Sequence, residues 1–234
     1  MKSIPTLLAT AYMLALNSLA NGLPLNGKTT GELSAQYPNV FVPAGLTFSI
    51  WGVLYLLMLA YVGKALLDRH RNGVEDRVEP LYVATAVLNG TWIVAWHYEW
   101  MAASLLIMLG LLGTLVWVGI RMKEDGSSLL TRLTFGMYLG WIIVATGANV
   151  TAALVDWNWA GWGLAAGTWA TGLVAVASAI AMQTSRVLGN RFVLLSVAWA
   201  LLGILIKQVG GPETGVVIAA ALFLGIVIRE GTDA

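Results

Sequence analysis

"VPAGLTFSIWGVLYLLM", residues 42–58, decides how this chain is read. Pro43 and Gly45 open it, and no charged side chain interrupts it. Phe48, Trp51 and Tyr55 stand at i, i+3 and i+7, a spacing that puts three aromatic rings on one face of a helix. A helix surrounded by lipid has no use for an aromatic stripe at mid-depth. This face is expected to look inward, at something flat and apolar.

The rest of the sequence is of the same texture. The 234 residues are 58% hydrophobic and 11% charged, with a mean hydropathy of +0.77. A soluble domain averages roughly 25% charged residues. Apolar runs lie at 4–21, 43–63, 80–98, 101–120, 130–154, 161–183, 192–207 and 214–228. Crossing the hydrocarbon takes about 20 residues of helix, with a lower limit near ~17. The first six runs reach that length. The last two are short and are joined by "KQVGGPETG", which reads as a turn between two short spans, with a re-entrant pair as the alternative. The expectation is an all-α, polytopic membrane helix bundle of eight helices.

Charge placement supports that count. With eight spans, Lys2, Lys64, Arg69, Arg71, Arg77, Arg121, Lys123, Arg132, Arg186, Arg191 and Arg229 share one side with both termini, and only Lys28 and Lys207 fall on the other. The positive-inside rule assigns the crowded side to the cytoplasm. An integral protein of a prokaryotic inner (plasma) membrane, with both termini cytoplasmic, is expected. The basic segment 64–77 is then a topology signal, and no nucleic-acid partner is implied; the partners are lipid and a small apolar ligand. The start has the layout of a cleavable leader, with Lys2, an apolar core and Ser18-Leu19-Ala20, and is read as the first helix instead.

The stripe is repeated elsewhere. Asn89, Trp92 and Trp96 follow the same spacing in the third helix, and Tyr138, Trp141, Ala145 and Asn149 continue it over three turns in the fifth. Asn17 and Asn21 lie one turn apart in the first. Counting ~1.5 Å per residue places Trp51, Trp92 and Trp141 well away from the ends of their runs. Trp100, Trp157, Trp159 and Trp162 lie at run ends and read as an interfacial belt. Asn89 and Asn149 need partners inside hydrocarbon, either as interhelical glue or as polar groups of a pocket. Asn beside Trp on several helices favours the pocket, with flat walls and a few convergent polar atoms.

These residues resemble the TspO/MBR family, the tryptophan-rich sensory proteins and mitochondrial translocator proteins. Pro43, Trp51 and Tyr55 match its second-helix motif. Leu88, Asn89 and Trp92 match the third, and Tyr138, Trp141, Ala145, Thr146 and Asn149 the fifth. The motifs cover about residues 1–160, and the resemblance implies a five-helix core there, with 161–234 adding about three membrane helices. It also implies a porphyrin, haem or sterol-like ligand, with no cofactor required; the motifs and the stripes together make Phe48, Trp51, Tyr55, Asn89, Trp92, Trp96, Tyr138, Trp141, Ala145, Asn149 and Asn17 its expected binding residues. The role implied is sensory or regulatory; passive transport of such ligands and light-dependent porphyrin breakdown are the alternatives. Residues 22–42 correspond to a loop that covers the pocket, and the polar, glycine-bearing "NGKTTGE" suits a low-stability lid.

Other chemistry is sparse. There are no cysteines and two histidines. His70 reads as a solvated loop residue. His97, beside Glu99, reads as a polar interface group or as an axial ligand to haem iron; no second ligand accompanies it, so no metal site is expected. No nucleophile elbow, P-loop or dinucleotide fingerprint is present, and Thr47 and Ser49 neighbour no base. Lys207 is expected to snorkel or to pair with Glu213 or Asp156. Small-residue faces at Gly136 and Gly140, and at Gly163, Gly167 and Thr171, suit close packing within the chain or a homodimer.

Overall fold

The computed structural model describes residues 4–67, 73–123 and 127–232. Lys2, Arg69, His70 and Arg71 lie outside them. Eight long helices and one short one account for most of the described chain, and there is no strand among the described residues. They are α1 (Ile4–Gly22), the short α2 (Thr30–Ala35), α3 (Ile50–Leu67), α4 (Gly73–His97), α5 (Met101–Lys123), α6 (Leu129–Asp156), α7 (Ala166–Leu188), α8 (Phe192–Gln208) and α9 (Thr214–Thr232). Gly45–Leu67, Asp76–His97, Met101–Lys123, Leu129–Asp156 and Ala166–Leu188 are each long and apolar enough to cross a membrane. The chain is an all-α membrane helix bundle. Helices suit that setting because every backbone N–H and C=O is satisfied within the segment, where no water is available.

The packing order makes a ring. α1 lies against α4, α4 against α5, α5 against α6, α6 against α3, and α3 returns to α1. Outside the ring, α8 lies along α6, α9 along α8, and α7 touches α9, α8 and α6. One continuous core of buried side chains runs from Ala9 to Val227, through both groups of helices. α8 and α9 run the whole depth of the bundle. Asn190, before α8, donates to Arg132 O at the start of α6, whereas Lys207, at the other end of α8, meets the backbone of Asn39 and Val42. α9 begins with Glu213 against Gly167 at the start of α7 and ends with Glu230 paired to Arg186 at its finish. These two helices form an antiparallel hairpin along the bundle.

The small residues are where helices touch. A Cβ at Gly140 would run into the backbone carbonyl of Val193, and one at Gly136 into Asn190 and Phe192. Gly167 faces the carboxylate of Glu213. These faces are filled by the chain's own helices. Gly163 does not belong to them: it sits in the 3-10 turn Gly161–Gly163, with φ +77°, beside Trp162 at φ +51°. Those left-handed residues delay the sixth long helix from 161 to Ala166.

Two other boundaries move. Residues 45–49 form a 3-10 turn, so α3 begins at Ile50 and Phe48 precedes the α-helix. Tertiary bonds hold this turn: Ala44 N donates to Gly203 O (3.0 Å), and Trp199 Nε1 donates to Thr47 O (2.8 Å). α4 begins at Gly73, seven residues before the apolar run, with Pro80 inside its second turn.

Candidate functional site

Helical periodicity does what the spacing demanded. Phe48, Trp51, Trp92, Trp96, Trp141, Ala145 and Asn149 line a single cavity inside the ring. Trp51 meets Trp141 edge to face at 6.0 Å between ring centroids, and Phe48 meets Trp141 the same way at 6.1 Å. Trp92 and Trp96, one turn apart on α4, are stacked at 6.0 Å. Offset and edge-to-face arrangements are those that aromatic quadrupoles prefer.

Four expected residues do not line this cavity. Asn17, Asn89 and Tyr138 form a hydrogen-bonded chain one turn closer to the basic ends of the helices: Asn17 Nδ2 donates to Asn89 Oδ1 (2.8 Å), and Asn89 Nδ2 donates to Tyr138 Oη (3.0 Å). Tyr55 stacks on Trp51 at 5.6 Å. Asn149 serves both roles, since its Oδ1 accepts from Trp92 Nε1 (3.0 Å) and its Nδ2 donates to Ser104 Oγ (3.1 Å). The buried amides are thus fully engaged, as an apolar interior requires.

The indoles are not. Trp96 Nε1 and Trp141 Nε1 are buried and have no hydrogen-bond partner among the described residues. Nothing in the spacing distinguishes these two donors from that of Trp92. Thr30, Ser34, Pro43, Val144 and Ala148 also line the cavity and were not singled out by the sequence reading. Nor was Glu79, a buried carboxylate on α4 that accepts from Thr6 Oγ1 (2.5 Å).

Residues 22–42 close one end. α2 brings Thr30 and Ser34 over the cavity. It begins at Thr30 because Thr29 and Glu32 make a capping box: Glu32 N donates to Thr29 Oγ1, and Thr29 N donates to Glu32 Oε2. "NGKTTGE" is therefore an ordered helix start and not a slack loop. Two fasteners hold it to the α4–α5 corner. Glu99 accepts from Lys28 Nζ (3.0 Å) and from Tyr37 Oη (2.9 Å) while its backbone sits at φ +58°, a conformation uncommon for a side chain of this kind. These two bonds, from Lys28 first, hold the Glu99 carboxyl below the usual carboxylate range. Burial and the neighbouring Glu99 push the Tyr37 phenol up. His97 is the second fastener. Its Nδ1 lies 3.1 Å from Leu25 O, which can only accept, so Nδ1 carries the proton and Nε2 accepts from Thr30 Oγ1 (3.1 Å).

The far end of the lid is held by α8. Lys207 Nζ donates to Val42 O (2.9 Å) and Asn39 O (3.4 Å), and Gln208 Nε2 donates to Val40 O (2.9 Å). Lys207 pairs with neither Glu213 nor Asp156. Both candidate carboxylates are passed over for backbone carbonyls that the lid would otherwise leave open.

The five-helix ring thus has an aromatic, amide-braced interior under a pinned lid. A family model described as "TSPO-like protein" matches residues 3–230. The chain belongs to the TSPO-like family. The match runs past residue 160, through α7 and α8 and into α9. No curated protein and no solved structure matches the chain.

Two features bound what this TSPO-like site can hold. The cavity has a volume of about 50 Å³, room for a few waters. Next to it, sharing Ser34, Pro43 and Phe48, lies a vestibule of about 480 Å³ between the lid, the 3-10 turn and Lys207. Ligand sites typically measure ~300–1,000 Å³. A planar ligand must therefore extend into the vestibule or part the Trp92–Trp96 stack. As for iron, both ring nitrogens of His97 are engaged, and no cluster of three or more His, Cys, Asp or Glu exists among the described residues. The axial-ligand reading of His97 does not fit this geometry.

Proposed function

We propose that this TSPO-like membrane protein binds a planar, mostly apolar ligand of the porphyrin or sterol class in the aromatic cavity, in a sensory or regulatory role. The observation that carries the reading is the pair of orphaned indole donors. In an interior where Asn17, Asn89 and Asn149 are all hydrogen-bonded, Trp96 Nε1 and Trp141 Nε1 are left bare in the cavity lining. An unpaired buried donor costs about 1–3 kcal/mol. A ligand that offers acceptor atoms at its edge removes that cost, and its flat face finds the rings it needs.

In this reading the ring, about residues 1–160, is the binding unit and 161–234 a supporting layer. The basic side faces the cytoplasm of a prokaryotic cell and the lid faces outward, following the sorting of Lys and Arg.

The test is a titration of protoporphyrin IX followed by tryptophan fluorescence in nanodiscs. Saturable one-to-one quenching is expected, weakened at least tenfold by Trp51→Ala and by Trp141→Phe. Quenching that never saturates, or an affinity that neither variant changes from that of the unaltered protein, overturns the reading. Binding accompanied by flux across liposomes would replace the sensory role by transport. Bleaching on illumination that needs Trp51 or Trp141 would replace it by breakdown.

A further inference from the structure

We infer that the ligand carries an anionic group such as a carboxylate and that Lys207 of α8 receives it in the vestibule. The inference rests on the reading of the aromatic cavity as a ligand site and adds the polar half of the ligand to it.

Three observations lead there. The aromatic cavity alone is far too small for a planar ligand, and through Ser34, Pro43 and Phe48 it shares walls with the vestibule. A ligand that leaves the Trp92–Trp96 stack closed projects past Phe48 into that room. Lys207 is the one charged side chain among the vestibule's lining residues. Its ammonium meets two backbone carbonyls and no carboxylate among the described residues. An ammonium has three N–H donors. Two are used here, so one donor and the whole of the charge remain uncompensated, beside a mostly apolar wall.

The alternatives for balancing that charge are spent elsewhere. Glu99 is taken by Lys28 and Tyr37 on the other edge of the lid. Glu213 packs over Gly167. A carboxylate at the rim of a flat apolar molecule would reach Lys207 while the body stays among Phe48, Trp51 and Trp141. In so shielded a place, a charge-assisted bond is roughly twice as strong as a neutral one. The same ammonium could instead meet the phosphate of a lipid headgroup, which shares that anionic chemistry.

The experiment compares two probes of one shape, protoporphyrin IX and its uncharged dimethyl ester, binding to the full-length protein in phosphatidylcholine nanodiscs. The free acid is expected to bind about tenfold more tightly than the ester. Lys207→Gln, which keeps donors for Val42 O and Asn39 O but removes the charge, should bring the ratio close to one by weakening the acid alone. Lys207→Arg should restore it. If Lys207 only pins the lid, Lys207→Gln will shift both probes equally and leave the ratio unchanged, and the inference fails while the ligand site stands. If neither probe binds the unaltered protein, the ligand reading itself fails. A ratio that depends on Lys207 only when phosphatidylglycerol is added assigns the residue to lipid headgroups and overturns the inference.

Discussion

The two halves of this bundle are held together by different means. Inside the ring of α1 and α3–α6, polar side chains reach across from helix to helix: Asn17 to Asn89 to Tyr138, and Trp92 to Asn149 to Ser104. Along α6–α9 the contacts are glycine seams, with Gly140 on Val193, Gly167 on Glu213 and Gly215 on Thr171. Lipid tails are as apolar as leucine, so helices in a bilayer associate by close packing and by hydrogen bonds. The supporting layer relies mainly on the first. The ring also uses the second. The proposed binding site lies in the half that is braced by side-chain hydrogen bonds.

The largest expected effect tests the seams. Gly140→Leu would drive a side chain into the Val193 carbonyl, and overpacking on that scale costs about 3 kcal/mol or more. Thermal unfolding in detergent should show a large drop in Tm. Gly113→Leu and Gly172→Leu, where nothing lies within 4 Å, should not. Equal behaviour of the three would mean that α8 is not closely docked and that the distinction between seam and ring is wrong.

Next comes the ring's polar brace. Asn149→Leu strips partners from both Trp92 Nε1 and Ser104 Oγ. A loss of about 1–3 kcal/mol in stability is expected. Trp92→Phe in the same background should recover part of it, since it removes one stranded donor; a purely additive double-mutant cycle would show that the bond does no bracing.

A smaller effect concerns the lid, and pH reads it. Glu99 is ionised in its fastened state and its carboxyl is held below the ordinary 4.5, mainly by Lys28 and then by Tyr37. A depressed carboxyl lends stability that is fully present above its ordinary value and is lost as pH falls through the lower one. Hydrogen exchange of residues 30–37 should therefore be steady from neutral pH to about pH 5, after correction for intrinsic rates, and accelerate in more acid solution. Glu99→Gln should show the faster exchange at every pH. Acid-insensitive exchange in the unaltered protein would leave His97 as the fastener that counts.

The smallest effect is a control. Trp157 is 52% exposed, and Trp157→Ala should change stability by less than about 0.5 kcal/mol and porphyrin affinity not at all. A loss equal to that of Trp51→Ala would return the aromatic stripes to ordinary interfacial residues.

What could be read in the sequence was whatever repeats at helical spacing. Trp51, Trp92, Trp141 and Asn149 share a cavity because a period of 3.6 residues carries side-chain direction faithfully along a helix. Trp100, Trp157 and Trp162 stand exposed at the ends for the same reason. The misreadings are all departures from that period. Phe48 lies in a 3-10 turn because Gly203 O and Trp199, about 150 residues away, supply the bonds that fix it. α7 starts late because Gly161, Trp162 and Gly163 adopt left-handed backbone. For Lys207 the sequence offers snorkelling or an acidic partner, and no local pattern announces that backbone carbonyls of the lid will take its ammonium. The lid's position over the ring was legible from its length and place, but its capping box was read as slack.

The anchoring of the lid by α8 also sets an order of events in synthesis. Residues 39–47 are made early, while Trp199, Gly203, Lys207 and Gln208, which receive them, come 152 to 168 residues later along the observed side-chain bonds. At ~5–20 residues per second, a ribosome takes roughly 8–30 s to cover that interval. During that time all five helices of the ring can be in the membrane with the lid held only at the α4–α5 corner. The lid's second anchor arrives only as α8 emerges, so a chain cut short before residue 199 would keep every ring that lines the cavity and the fasteners at Glu99 and His97, and lack the helix that holds residues 39–47.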